Sequence, residues 1–377
     1  MHYQEIIKEN LQFIESVWEK LDRKLSKTAI KSRNKLPYTT ADGVHDDRQN
    51  EPLWWTNGFW GGLMWLMYIG TKKEDYKITA ETAEKLMDKA FSRMEEWHHD
   101  VGFMWHITSG VNYRLTGNIH SKNRNLIAAM SLMSRYNVDG NYIRCWNDWG
   151  DEDHSGWTII DCMMNIPILY WASKELGDPR FARVAKRHAD MAMRDHVRKD
   201  GSVNHIVVHD TEKADTVLGV LKGQGFSETS CWSRGDAWAL YGFVLSYIHT
   251  KEQKYLDTAI KVADYFCEQT EKTAWLPRVD FCQPETPRVY DSTAGAIAAC
   301  GLIEIAKNTE DGKYLSAAIK ILKAMEKNWC NWSDEEDSIL QEGAEAYLWR
   351  GEQPIIYGDY YFAEAILKLK GNEFLTW

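Results

Sequence analysis

The segment Gly235–Phe266, GDAWALYGFVLSYIHTKEQKYLDTAIKVADYF, decides the fold. A glycine and a carboxylate lead into about 14 mostly apolar residues, a run too evenly apolar to have a solvent face. A polar turn, HTKEQ, follows, with Tyr255 just after it. The second half, YLDTAIKVADYF, carries one apolar stripe with alanine at helical spacing, so it has one wet face. The pattern predicts a buried helix turning back into an outer helix.

The same grammar recurs. It begins at Asn57 (NGFWGGLMWLMYIG), Asp161 (DCMMNIPILYWA) and Asp291 (DSTAGAIAACGLIEIA), and again at Gly358 (GDYYFAEAILKL), where only the first half is present. The aromatic after the turn is Tyr76, Phe181, Tyr314 and Phe374 in these copies. The interval between Asn57 and Asp161 has room for another hairpin near NRNLIAAMSLMSRYN. With the first helix, YQEIIKENLQFIESVWEKL, this makes about six hairpins, which close naturally into an α/α toroid. In such a ring the buried helices start at one mouth, where Asn57, Asp161, Arg234, Asp291 and Asp359 would gather. Any single aspartate there also fits an N-cap.

Composition narrows the function. The 377 residues carry a net charge of −10, which argues against nucleic acid or an anionic membrane as partner. Trp and Tyr number 18 each, flat apolar faces with a polar edge that suit a sugar cleft or a large aromatic core. Seven cysteines, none in a C-x-x-C pair, read as free thiols of a reducing compartment. The charged amphipathic start has no secretory apolar run, so a cytoplasmic location is expected.

Four stretches carry chemistry. In Trp97–Phe103, WHHDVGF, the side chains of His98, His99 and Asp100 are adjacent and are expected to diverge. They lack the spacing of a helical zinc pair, so acid/base work or a sugar hydroxyl suits Asp100 better than a metal. Asp161 stands in an apolar run: desolvated, it would hold a proton; as an N-cap, it would not. Both readings stand. Arg234, between Trp232 and Trp238, fits a carboxylate of a ligand, or pairs with Asp236 or Asp161. Trp238, one turn on, is placed to stack. Cys145–Trp157, CWNDWGDEDHSGW, reads as a rim loop presenting Trp146, since it lacks the glycine and terminal glutamate of a calcium loop.

Together LWWTNGFWGGLMWL, HHDVGF, WTIIDCMMNIPILYWA, SCWSRGDAWALYGF, VYDSTAGAIAACGLIEIA and YGDYYFAEAILKL resemble, in order and spacing, the unsaturated glucuronyl hydrolases of glycoside hydrolase family 88. The resemblance implies an all-α (α/α)6 barrel, with residues 1–377 as a single catalytic domain, and no cofactor or metal. It implies removal of a non-reducing-end 4,5-unsaturated uronic acid from lyase-generated oligosaccharides, glycosaminoglycan-type disaccharides foremost, by hydration of the C4=C5 vinyl ether. Asp161 matches the general acid/base and Asp100 the second aspartate, which helps keep Asp161 protonated. His99, His205, Gln224 and Arg234 match polar contacts. Trp55, Trp146 and Trp238 match aromatic positions of the sugar site, and Tyr347 matches more loosely. A monomer or homodimer is expected, with an unsaturated oligosaccharide as its only partner. The sequence departs from the family at Asn57 (Asp in relatives), Asp236 (Gln) and Gly223 (often His). The alternatives are a related unsaturated rhamnogalacturonyl hydrolase acting on pectin fragments and a non-catalytic oligosaccharide-binding toroid.

Overall fold

The computed structural model describes residues 3–377. In chain order the helices are α1 (Tyr3–Glu9), α2 (Leu11–Lys31), α3 (Asn57–Thr71), α4 (Glu74–Leu86), a wide π-type helix (Gly102–Gly110) continuous with α5 (Val111–Thr116), α6 (Ile119–Ser134), α7 (Pro167–Leu176), α8 (Pro179–Asp195), α9 (Ser233–Thr250), α10 (Gln253–Glu271), α11 (Ser292–Thr309), α12 (Gly312–Trp329) and α13 (Ile356–Leu369).

The evenly apolar helices form an inner ring: α3, the π helix, α7, α9, α11 and α13 each pack on the next, and α13 returns to α3. Burial follows the sequence pattern. Ser292 to Ala306 of α11 are buried on every side, whereas α8 buries only Phe181, Val184, Ala185, His188, Ala189, Met191 and Ala192, one stripe at helical spacing. Outside the ring α4, α6, α8, α10 and α12 back α3, the π helix, α7, α9 and α11. The half-copy at Gly358 is completed by the other end of the chain: α2 packs on α13. The hairpin expected between Asn57 and Asp161 also exists, and its inner half is GFMWHITSG, not the NRNL stretch, which is the outer α6.

Three of the repeated aromatics share a job. Tyr76 donates from α4 to Asp22 Oδ1 of α2 at 2.9 Å, Tyr255 from α10 to Asp190 Oδ1 of α8 at 2.9 Å, and Tyr314 from α12 to Asp264 Oδ1 of α10 at 3.0 Å. Each locks an outer helix to the previous one, and hydrogen bonds to charged acceptors contribute about 1.5–3 kcal/mol apiece.

Short strands, which helical periodicity does not announce, complete the mouth. β1 (Thr40–Ala41) pairs with β2 (Val44–His45), and β3 (Tyr136–Asn137) with β4 (Tyr142–Ile143). A three-stranded antiparallel sheet joins β5 (Trp157–Ile159), β6 (Ile206–His209) and β7 (Val217–Leu221) in the order β5-β6-β7.

Candidate active site

Contacts among the starts of the inner helices define one mouth. Trp55, Phe103, Trp238 and Tyr357 precede or open four of them, and their rings meet at centroid distances of 5.1–6.3 Å. Gly58 allows a close approach of α3 to the π helix: a Cβ there would stand 2.1 Å from Phe103 O.

The three-stranded sheet sets the site's first half. β5 runs directly into a 3-10 turn, Ile160–Met164, that carries Asp161. Ile160 N donates to His205 O at 3.1 Å, so His205, just ahead of β6, lies beside Asp161. Gln224, three residues after β7, donates its backbone N–H to His205 Nδ1 at 3.0 Å. That bond makes Nδ1 the acceptor, so a neutral ring carries its proton on Nε2. Nε2 is 3.5 Å from Asp161 Oδ1, and both atoms are buried without a hydrogen-bond partner. Asp161 is 9% exposed and makes no cap bond, so the N-cap alternative does not hold.

The second half is Asp100, 8% exposed. Contrary to the expected divergence, both histidines reach one oxygen: His98 Nδ1 is 3.1 Å and His99 Nε2 3.3 Å from Asp100 Oδ2. The segment folds back on itself as it enters the π helix, and adjacent side chains converge. His98 also bonds Leu53 O at 3.0 Å through Nε2. Burial disfavours charge on all three groups, but the pairing decides two of them. Asp100 raises His98 above its ordinary value. His99, His98 and the Asn165 amide hold the Asp100 carboxyl below the usual range despite burial. His99 is pushed down by burial to about 4, so its ring is neutral near pH 7.

Asn165 joins the halves. Its Oδ1 accepts from Phe103 N at 2.9 Å and its Nδ2 donates to Asp100 Oδ1 at 3.3 Å, four residues after Asp161. Sequence reading passed over it; its signal was a lone amide inside DCMMNIPILYWA.

The remaining residues divide. Trp55 is half-buried against Tyr357, at 5.1 Å. Trp146 is half-buried, 6.5 Å from the His99 ring. Tyr347 packs edge-on to Phe226 at 5.1 Å, and its N–H donates to Gln224 O at 2.9 Å. The Gln224 side-chain amide bonds Glu345 O. Trp238 has no exposed surface and lies under the floor, so it supports the site from below and presents no face for stacking. Arg234 pairs with neither Asp236 nor Asp161. Its Nη1 is 2.5 Å from Asp291 Oδ2, 2.5 Å from Ala344 O and 3.2 Å from Thr293 Oγ1, and its Nη2 is 2.7 Å from Glu345 O. The guanidinium ties α9 to α11 and to the loop carrying Tyr347, and the Trp232 ring covers it at 4.5 Å.

In the loop after Cys145 the aspartates cap turns: Asp148 Oδ1 accepts from His154 N at 2.8 Å and Asp153 Oδ1 from Ser155 N at 2.7 Å. Among the described residues no group of three His, Cys, Asp or Glu side chains is arranged to hold a metal ion.

Fold and mouth define an (α/α)6 barrel with a carboxylate pair and aromatic walls at one end. The comparisons carry this further. The family model of Glycosyl Hydrolase Family 88 matches residues 28–247. The unsaturated glucuronyl hydrolase of Bacillus sp. (strain GL1) is 33% identical over 349 residues, 89% of this chain and 91% of that protein. Its crystal structure superposes with a TM-score of 0.87, covering 94% of this chain and 97% of that one at 30% identity. An unsaturated chondroitin disaccharide hydrolase of Streptococcus pneumoniae is 30% identical over 350 residues, 90% of this chain and 87% of that protein. A further solved structure, described as UGL with dGlcA-Glc-Rha-Glc, has a TM-score of 0.87 at 29% identity and covers 94% of this chain and 97% of its own. The chain belongs to glycosyl hydrolase family 88.

Proposed function

We propose that the chain, acting as one catalytic domain, hydrolyses unsaturated glucuronyl oligosaccharides released by polysaccharide lyases, with glycosaminoglycan-type disaccharides as substrates. The observation that carries this is Asp161, whose side chain is partly open at the mouth while its Oδ1 is buried beside His205 Nε2, with an ionised Asp100 held by Asn165 four residues on. Protonated on its other oxygen, the Asp161 carboxyl delivers a proton to C4 of the vinyl ether. Positive charge develops at C5 and on the ring oxygen, and the Asp100 carboxylate supplies a fixed compensating charge in a water-poor site. Water adds at C5 and its proton returns to Asp161. The hemiketal opens to a ketone, leaving C1 as a hemiacetal that expels the aglycone. Two-carboxylate displacement at C1 is not needed. Trp55, Trp146 and Tyr347 wall the sugar; His99, His205 and Gln224 supply hydrogen bonds; Arg234 holds the wall in place.

The reading places the enzyme in the cytoplasm as a monomer or homodimer. All seven cysteines are free, which suits a reducing compartment, and no described helix is long and apolar enough to cross a membrane.

The test is a panel of unsaturated chondroitin and rhamnogalacturonan disaccharides, followed by loss of the conjugated alkene's ultraviolet band. Consumption of the chondroitin product supports the reading. Consumption of the pectin product alone transfers the chain to rhamnogalacturonyl hydrolysis, and binding without loss of the band makes it a binding module.

A further inference from the structure

The aromatic wall does not stop at Trp146. From Asp100 the path runs to His99, then to the Trp146 ring at 6.5 Å, then to Trp149, stacked on Trp146 at 5.3 Å and 28°. Trp149 is 57% exposed. Its exposure is built into the loop. Trp149 and Glu152 exchange backbone bonds at 3.3 and 3.0 Å, and Asp148 fixes the following turn through His154 N. Beneath the indole lies His154, wholly buried, its ring 4.7 Å from Trp149 and 4.3 Å from Trp157. Neither of its ring nitrogens has a hydrogen-bond partner; Glu152 Oε2 is 3.4 Å from Nε2. A loop shaped only by burial would place the imidazole outside and the indole inside. This one does the reverse.

We propose that the Trp146–Trp149 shelf is a distal sugar subsite that takes a neutral sugar of the aglycone chain. The inference rests on the hydrolase reading above and extends it outward from the mouth. An indole face held open to solvent offers the apolar surface on which the C–H face of a sugar ring packs. The charge beside it sets the choice of sugar. Asp151, Glu152 and Asp153 are exposed around Trp149, and the nearby cation, Arg144, is paired with Asp148. A uronate or sulfate on that shelf meets like charge, which disfavours it; a neutral hexose or deoxyhexose does not.

The experiment compares kcat/KM for unsaturated disaccharides with that for two tetrasaccharides, dGlcA-Glc-Rha-Glc and an unsaturated chondroitin tetrasaccharide, in the wild type, Trp149→Ala and Trp149→Tyr. The neutral chain is expected to exceed its disaccharide about tenfold, which is about 1.4 kcal/mol. Trp149→Ala should erase that gain and leave disaccharide turnover unchanged, and Trp149→Tyr should keep most of it. The chondroitin tetrasaccharide should show no gain until Asp151→Asn and Glu152→Gln are introduced together. A tetrasaccharide-to-disaccharide ratio that Trp149→Ala leaves unchanged overturns the proposal, as does a wild-type ratio of one. If the wild type consumes no alkene at all, the hydrolase reading fails, and the shelf is then judged by the same ratios in equilibrium binding.

Discussion

Gly223→Ala tests how tightly the loop after β7 governs Asp161, the carboxylate proposed as the acid/base. Gly223 has φ +53°, and a Cβ built on it would stand 2.0 Å from His205 Nδ1. Ordinary contact begins near 3.4 Å, so ring and loop must part by about 1.4 Å. The parting breaks the Gln224 N–His205 Nδ1 bond and frees the imidazole whose Nε2 faces Asp161 Oδ1 at 3.5 Å. Misplacing a group beside the reacting atoms by about 1 Å costs on the order of 10²-fold in rate. The left-handed backbone adds about 1–2 kcal/mol of strain for alanine. With an unfolding entropy of about 2.1 cal/mol/K per residue, 377 residues translate that strain into a Tm loss of only about 1–3 °C. The expected signature is a kcat reduced about 100-fold with a nearly unchanged Tm, read by alkene loss and by calorimetry on the same preparation. In a His205→Gln background the substitution should add little, because the two act through one contact. Wild-type kcat in Gly223→Ala would refute the idea that the glycine exists here to let the loop press on His205. The same geometry explains a departure from the family: with this backbone, a histidine at 223 would occupy the space of the His205 ring.

Asp161→Asn and Asp100→Asn should each lower kcat at least about 100-fold, the usual scale for a general acid/base, with circular dichroism unchanged; near-normal turnover by Asp161→Asn would end the proposed mechanism. Arg234→Met leaves the Asp291 carboxylate and the Ala344 and Glu345 carbonyls buried without their cation, at a cost of about 3–5 kcal/mol. Tm should fall by about 4–6 °C and recover partly with Asp291→Asn; an unchanged Tm with a raised KM would make Arg234 a substrate contact instead. Burial pushes His99 to about 4, His196 to about 3 and His209 to about 4, below their common value of 6.5. The unfolded chain therefore binds more protons than the fold below pH 6.5, and stability should be lost as pH falls from about 6.5 towards 4. Burial also lowers His45 and His249 to about 4 and holds His106 and His188 well below their ordinary value. Asp359, raised by burial to about 7, Asp236 and Glu342, also raised by burial, and His98, raised by Asp100, work the other way, so seven histidines stand against four groups. Urea midpoints at pH 7, 6, 5 and 4 should decline, and His196→Gln should flatten the slope; a flat wild-type profile would contradict the assignment.

How much was legible follows from which interactions are local. Whether a helix is apolar all round or striped is written at 3.6-residue spacing, so the inner and outer roles, the hairpin grammar and the ring could be read before any coordinates. The family blocks travel with that grammar, and they named Asp100 and Asp161. Partner choice could not be read. At the mouth six helix starts present aspartates, histidines and an arginine of similar chemistry, and only the closed ring decides which meet. Arg234 found Asp291, 57 residues on, and not Asp236 two residues away. Trp238, placed one turn into its helix, went under the floor because α9 sits deep in the ring. The antiparallel sheet that sets Asp161 beside His205 is built from strands of three to five residues, too short to show a period-two pattern. The pairing within the last hairpin could not be read for a simpler reason. Its halves, α2 and α13, stand at opposite ends of the sequence, and ring closure alone brings them together.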